Sequence, residues 1–197
     1  MKLIILDRDG VINTDSDDYI KSPAEWHPIP GSMEAIARLN QHGYRVAVAT
    51  NQAGLARGLF TMQTLNAIHH KLHQTAQASG AHIDAIFFCP HAADENCDCR
   101  KPKPGMLQAI GKRFDLSLKG VPFVGDSLRD LQAGFSVGCV PHLVMTGKGQ
   151  KTLTKGGLPP GTTTFSNLAA VVEQLLNVES RVAETIEAAR AALQKKK

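Results

Sequence analysis

The 197-residue sequence has no apolar run near the ~18 residues that would suggest a membrane-spanning helix. Nor does its start read as an apolar leader. Met1-Lys2-Leu3-Ile4-Ile5-Leu6 meets Asp7 after four apolar residues, whereas a secretory signal needs an apolar stretch of about 7–15. A membrane partner and export by that route are therefore not expected, and a cytoplasmic location is. A strong excess of basic charge is missing too. Lys and Arg number 22 against 18 Asp and Glu, a net +4 with no long basic stripe, so nucleic acid is not an expected partner. Internal repeats and low-complexity tracts are absent, and a hydrophobic fraction of 43% can bury a core. Cysteine is scarce, four in all. In a reducing compartment cysteines seldom form lasting disulfides, so the cluster Cys89, Cys97 and Cys99 points to a metal site.

Short apolar runs are the main feature of what remains. Leu3–Leu6, Val46–Ala49, Ile83–Phe88, Val121–Val124 and Leu143–Met145 read as strands buried on both faces. Between them lie helical patterns. Met33, Ile36, Ala37 and Leu39 follow Pro30-Gly31-Ser32 at helical spacing, and Thr61–Ser79, Pro104–Phe114 and Ser127–Ser136 are further helices. The alternation predicts an α/β fold: a doubly wound, mostly parallel sheet with helices on both faces. Residues 147–165 read as a breaker-rich loop, followed by a helix over Asn167–Leu176. The expected domain spans 1–177, with 178–197 a helical or frayed tail carrying Val182, Ile186, Ala189 and Leu193 at helical spacing and ending in three lysines.

Polar chemistry gathers where strands end. Asp7-Arg8-Asp9-Gly10 follows the first strand, Thr50-Asn51-Gln52-Ala53 the second, and Gly125-Asp126-Ser127-Leu128-Arg129-Asp130 the fourth. In an open parallel sheet the carboxyl ends of the strands form the ligand crevice. A single Asp in such a place caps a helix or makes a turn just as readily. Several converging carboxylates would repel one another unless a hard cation sat among them, and Mg²⁺ suits oxygen ligands. A carboxylate can attack phosphorus, which makes Asp7 the candidate nucleophile. Asp9 can serve as acid toward the leaving oxygen and then as base toward water.

Cys89-Pro90-His91, followed by Cys97-Asp98-Cys99, places four soft or borderline ligands within eleven residues. Cys89, His91, Cys97 and Cys99 can close a tetrahedral, structural Zn²⁺ site. Arg100 and Lys101 come directly after it, so a zinc staple would aim two cations at one place.

The stretches Asp7-Arg8-Asp9-Gly10-Val11, Thr50-Asn51, Lys101-Pro102-Lys103-Pro104 and Gly125–Asp130 resemble, in order, the four motifs of the haloacid dehalogenase superfamily. By that resemblance Asp7 is the nucleophile and Asp9 the acid/base, the pattern of its phosphatases. Thr50 holds the transferring phosphoryl group and Lys101 neutralises it. Mg²⁺ binds Asp7, Asp126 and the backbone carbonyl of Asp9, with Asp130 acting behind them. The spacing leaves no room for a cap domain, so short loops must cover the crevice: Asp15–Tyr19, Gly54–Phe60 and the cysteine loop. Residues 50–58 and 97–106 resemble the cap-less, zinc-bearing members that act on a sugar bisphosphate. Histidinol phosphate and a polynucleotide 3′ end are alternative substrates. The resemblance places Thr50, Asn51, Gln52, Ala53, Lys101 and Ser127 at the substrate. Arg100, and more weakly Arg57, could hold a second phosphate, while Asp15, Asp17 and Asp18 could accept sugar hydroxyls. A monomer is expected. His69 and His73, one helical turn apart, read as helix-surface residues because no Glu follows the first His and no third ligand is near. Cys139 reads as a buried small apolar residue.

Overall fold

The computed structural model describes residues 1–194, without the side chains of 191–193. The element order is β1 (Lys2–Leu6), α1 (Ser32–Gln41), β2 (Tyr44–Asn51), α2 (Met62–Ala78), β3 (Ala85–Cys89), α3 (Gly105–Phe114), β4 (Pro122–Gly125), α4 (Leu128–Ser136), β5 (Val140–Val144), α5 (Gly149–Lys155), β6 (Thr163–Phe165) and α6 (Leu168–Gln194). The strands pair in parallel in the order β3-β2-β1-β4-β5-β6. The chain winds outward from β1 in one direction through β2 and β3, and in the other through β4, β5 and β6. The reversal beside β1 leaves a crevice at the carboxyl ends of β1, β2 and β4.

Strand alternation builds two cores. On one face of β1, Ile4 and Leu6 pack with Val46 and Val48 of β2 against Ile36 and Leu39 of α1, Ile68 and Leu72 of α2, and Val171 and Val172 of α6. On the other face, Leu3 and Ile5 pack with Ala47 and Ala49 against Met106, Leu107 and Ile110 of α3 and Ala133 of α4. A period of two along the strands thus supplies both faces, as a sheet covered by helices on each side requires. The rigid floor this creates carries the polar strand ends. Among the described residues no helix is long and apolar enough to cross a membrane.

Three sequence expectations change. Residues 147–165 are not a continuous loop, because they contain α5 and β6. α5 has only seven residues and no apolar stripe to reveal it. β6 is a three-residue edge strand whose Thr163, Thr164 and Phe165 pair with His142, Leu143 and Val144. The segments 167–176 and 178–194 form one helix, since neither Gly nor Pro separates them and Asn177 alone does not stop propagation. Residues beyond 177 leave the core: Val178 and Val182 are 53% exposed and Ile186 is 48% exposed. The three terminal lysines lie outside the described residues. Finally, His69 is buried while its neighbour His73 is exposed. Cys139 is buried, as its apolar surroundings in the sequence imply.

Candidate active site

The cleft has a cavity volume of about 120 Å³ and is lined by Asp7, Asp9, Thr50, Asn51, Gln52, Lys101, Asp126, Ser127 and Asp130, together with Asp15 and Tyr19. Asp7 directly follows β1, and its backbone N–H continues the ladder to the Val124 carbonyl at 2.9 Å. The Asp7 side chain takes two contacts on the same oxygen. Oδ1 accepts from the Arg8 backbone N–H at 2.7 Å and from Lys101 Nζ at 2.9 Å, and among the described residues Oδ2 has no hydrogen-bond partner.

Lys101 is 1% exposed and joins the end of β1, the last residues of β2 and the first turn of α4. Its Nζ lies 2.6 Å from Asp130 Oδ1 and donates to the Ala49 carbonyl at 2.6 Å, in addition to its Asp7 contact. The backbone of Lys101 is fixed from β2. Asn51 Nδ2 donates to the Lys101 carbonyl and Asn51 Oδ1 accepts from the Lys101 N–H, both at 3.1 Å. One amide thus pins the loop carrying the ammonium in two places. Thr50 Oγ1 accepts from Gln52 Nε2 at 2.9 Å, so its own proton is available to a ligand oxygen.

Asp126 is held in a tight cradle. A Cβ on Gly10 (φ +83°) or Gly147 (φ +57°) would collide with its carboxylate, so neither position tolerates a side chain. Its Oδ2 accepts from the Lys148 backbone N–H at 2.7 Å. Asp130 sits at the third position of α4 and accepts from the backbone N–H of Ser127 at 3.0 Å and from its hydroxyl at 2.5 Å. The Ser127 hydroxyl is therefore committed to Asp130 even though it lines the cleft.

Oxygens of Asp7, Asp126 and Asp130 lie within 4.8 Å of one another. Three carboxylates against the Lys101 ammonium give a formal charge of −3 + 1 = −2 in a buried place. Their titration reflects this. Burial pushes Asp7 well above the usual carboxylate range, and Asp130 adds to the shift against the pull of Lys101. Burial and the Asp130 charge raise Asp126 to about 7. Asp130 is also buried, but the nearby Lys101 and Ser127 hold it below its ordinary value. Burial opposes the Lys101 charge, yet Asp130 and Asp7 outweigh it and raise the Lys101 pKa. An all-oxygen donor set with two excess negative charges fits a hard divalent cation such as Mg²⁺.

Proton linkage gives an expected result. Binding a cation must displace protons from Asp7 and Asp126, so Mg²⁺ affinity should rise with pH between 6 and 8, by up to about tenfold per pH unit for one proton released. For the metal-free fold the sign is the reverse. Raised carboxylate pKa values contribute stability at low pH that is lost as pH rises through about 7. The gain in Tm on adding Mg²⁺ to chelator-treated protein should therefore be larger at pH 8 than at pH 6. An equal gain at both would contradict this account.

The second cluster closes the loop after β3. Sulfur separations are 3.6 Å for Cys89–Cys97, 3.1 Å for Cys89–Cys99 and 3.5 Å for Cys97–Cys99. His91 Nδ1 lies 3.6 Å from Cys89 Sγ and 3.2 Å from Cys99 Sγ. A zinc ion at about 2.3 Å from each sulfur would need tetrahedron edges of about 3.8 Å, so the four donors are gathered slightly tighter than that and need only a small outward shift to hold the ion. Burial pushes the Cys89 thiol up to about 12, which a coordinated cation would reverse.

The remaining sequence candidates occupy different places. Asp15 borders the cleft and pairs with Lys148 Nζ at 2.9 Å, while Asp17 lies 3.5 Å from the same ammonium. Asp18 is exposed and faces a neighbouring hollow with Thr14, Lys21 and Glu25. Ala53 is buried and does not line the cleft. Arg57 is exposed outside the cleft, its guanidinium 5.5 Å from the centre of the Tyr19 ring, so the Gly54–Phe60 loop reaches the Asp15–Tyr19 loop through that contact. Arg100 donates to the His91 carbonyl at 3.2 Å and lines an adjoining cavity with Lys103 and Arg129. Lys148, Tyr19 and Arg129 also line the main cleft, beyond the candidates that the sequence offers. The strand-end rule, extended to the fifth strand, reaches Lys148. Tyr19 and Arg129 carry no such signal.

A profile of haloacid dehalogenase-like hydrolases matches residues 6–138, a stretch that includes Asp7, Thr50, Lys101 and Asp126. The chain belongs to that family. It is 61% identical over 176 residues, 89% of this chain and 98% of the relative, to D-glycero-beta-D-manno-heptose-1,7-bisphosphate 7-phosphatase of Bordetella bronchiseptica. It is 55% identical to the Pseudomonas putida enzyme of the same name, over 89% of this chain and all of the relative. A crystal structure of D,D-heptose 1,7-bisphosphate phosphatase from B. bronchiseptica, complexed with magnesium and phosphate, superposes with a TM-score of 0.89 at 61% identity, covering 90% of this chain and 99% of that one.

Proposed function

We propose that this phosphatase removes the 7-phosphate of D-glycero-β-D-manno-heptose 1,7-bisphosphate, leaving the 1-phosphate for nucleotide-activated heptose synthesis. The convergence of Asp7, Lys101, Asp126 and Asp130 at the crevice carries the reaction type, and the heptose bisphosphate phosphatases at 55–61% identity support the substrate. Asp7, Asp126 and the Asp9 carbonyl are the proposed Mg²⁺ ligands, with Asp130 behind them. When bound, the ion would offset the excess carboxylate charge and that of the phosphoryl oxygens. Cys89, His91, Cys97 and Cys99 would hold a structural Zn²⁺.

The protein side chains account for the chemistry. Asp7 Oδ2 attacks phosphorus, forming an aspartyl phosphate as the bond to the C7 oxygen breaks. Asp9 gives its proton to the departing oxygen. Water then attacks the phosphorus, Asp9 takes the water's proton, and the Asp7–phosphorus bond breaks to release inorganic phosphate. Thr50 donates its hydroxyl proton to a phosphoryl oxygen, and Lys101 neutralises charge from a position fixed by Asn51. Asn51, Gln52 and Ser127 border the ligand. Arg100 is the proposed anchor for the retained phosphate, and Asp15 and Asp18 are proposed to receive sugar hydroxyls. Ala53 and Arg57 could contribute only indirectly, since neither lines the cleft.

A comparison of kcat/KM across both heptose 1,7-bisphosphate anomers, histidinol phosphate and a 3′-phosphorylated oligonucleotide tests the assignment. The β-anomer should lead the non-bisphosphate substrates by roughly 10²-fold, the worth of one or two charge-assisted hydrogen bonds to a second phosphate. Equal or better use of histidinol phosphate would remove the sugar bisphosphate from this reading.

A further inference from the structure

Arg8 stands between Asp7 and Asp9 in sequence, and its side chain is turned away from solvent, only 1% exposed. The guanidinium grips Asp9: Nε donates to Oδ1 at 3.0 Å, and Nη2 donates to Oδ1 at 2.9 Å and to Oδ2 at 3.0 Å. Asn13 Nδ2 adds a bond to Oδ1 at 2.9 Å and Gln52 Nε2 one to Oδ2 at 3.1 Å. The far end of the guanidinium, Nη1, meets His69 Nε2 at 3.3 Å. Arginine has donors only, so Nε2 must be the acceptor and the ring proton lies on Nδ1.

His69 comes from α2, an element that contributes no residue to the cleft lining. It is 8% exposed, and its ring packs tilted against Phe88, with centroids 6.1 Å apart. This arrangement matters because the Asp9 carboxylate is useful only if one oxygen points at the scissile bond. A bidentate guanidinium fixes the plane of a carboxylate, but a guanidinium on a flexible stem needs its other end held. We propose that His69 is a positioning residue for the acid/base: by accepting from Arg8 Nη1 it fixes the guanidinium, and with it the place beside the cleft from which the Asp9 carboxyl works. The inference rests on the reading of Asp9 as acid/base.

Two substrates separate positioning from mere folding. An alkyl phosphate such as the heptose bisphosphate needs its leaving oxygen protonated, whereas p-nitrophenyl phosphate releases a stable phenolate that does not. The value of kcat/KM reports on steps up to that departure. His69→Leu keeps bulk and removes the acceptor, and it should lower kcat/KM for the alkyl phosphate by roughly 10–10²-fold, within the range of acid–base contributions. The aryl value should change by less than about threefold. His69→Gln, whose side-chain carbonyl can accept from Arg8, should restore most of the loss. Should His69→Leu fail to fold, His69→Asn, polar but too short to reach Arg8, should show the same discrimination. Equal losses on both substrates, or no loss on either, would overturn the proposal. Asp9→Asn run alongside separates the two readings. If it spares the alkyl phosphate, the acid/base assignment fails. If it discriminates between the substrates while the His69 variants do not, only the positioning role fails.

Discussion

Asp7→Asn should lower turnover by at least roughly 10⁴-fold and leave a folded protein, since an amide oxygen is a poor nucleophile and loss of a nucleophile is among the costliest single changes to an enzyme. The fold should survive because Lys101 keeps its contacts to Asp130 and to the Ala49 carbonyl, both at 2.6 Å. The Asn side-chain oxygen can still accept from the Arg8 N–H and from Lys101, as Asp7 Oδ1 does at 2.7 and 2.9 Å. Electrostatics favour the variant in the absence of metal. Burial and the charge of Asp130 already hold the Asp7 carboxyl well above its ordinary range, so removing that charge relieves repulsion among three clustered carboxylates. Without metal at pH 8, Tm should be no lower than that of the parent protein. Phosphate release from the bisphosphate substrate and a melting curve in chelator measure both parts. Turnover within tenfold of the parent would exclude Asp7 as nucleophile, whereas a large fall in Tm would make the carboxylate a structural group.

The strand-end parts of this site legible in the sequence share one property: they stand at or immediately after the end of a buried strand. Asp7, Thr50 and Asp126 each follow an apolar run, and a parallel sheet brings such ends together whatever the loops do. The cysteine cluster was equally visible because its ligands are local. What stayed hidden depends on contacts between distant segments. His69 looks like any polar residue on an amphipathic helix, and only the Arg8 guanidinium, 61 residues away, gives it a partner in the interior. Asn51 invites a role at the ligand, yet both ends of its amide are occupied by the backbone of Lys101. Ser127 similarly gives its hydroxyl to Asp130. Spacing places a residue near the crevice, but pairing decides whether it faces the ligand or supports a neighbour that does. β6 and α5 were missed for another reason. They are too short for periodicity to show, and β6 owes its form to pairing with β5.

The cysteine cluster supports the site from a distance, and its loss should be the largest single effect on stability. Cys89 ends β3 in the buried core, whereas Cys97 and Cys99 lie on a loop with little apolar material to hold it. That loop leads directly into Arg100 and Lys101, and the Gly105 N–H bonds back to the Asp98 carbonyl at 3.0 Å at the start of α3. If zinc occupies the four donors, Cys99→Ser should remove a thiolate ligand and free this turn. The expected cost is about 4 kcal/mol, the scale at which loss of a metal stands out among substitutions. For a domain of this size that lowers Tm by about 10 °C. Activity should fall with it, because Lys101 would then be placed only by the Asn51 bonds to its backbone and by the contacts of its own ammonium, and a displacement near 1 Å costs about 10²-fold in rate. Zinc content by elemental analysis, Tm and kcat measured on the same sample distinguish the outcomes. Zinc-free protein with unchanged Tm and unchanged kcat would show that the four donors pack without a metal. A lower Tm with full kcat would mean that Asn51 and the carboxylates suffice to place Lys101, and that the metal serves the loop alone.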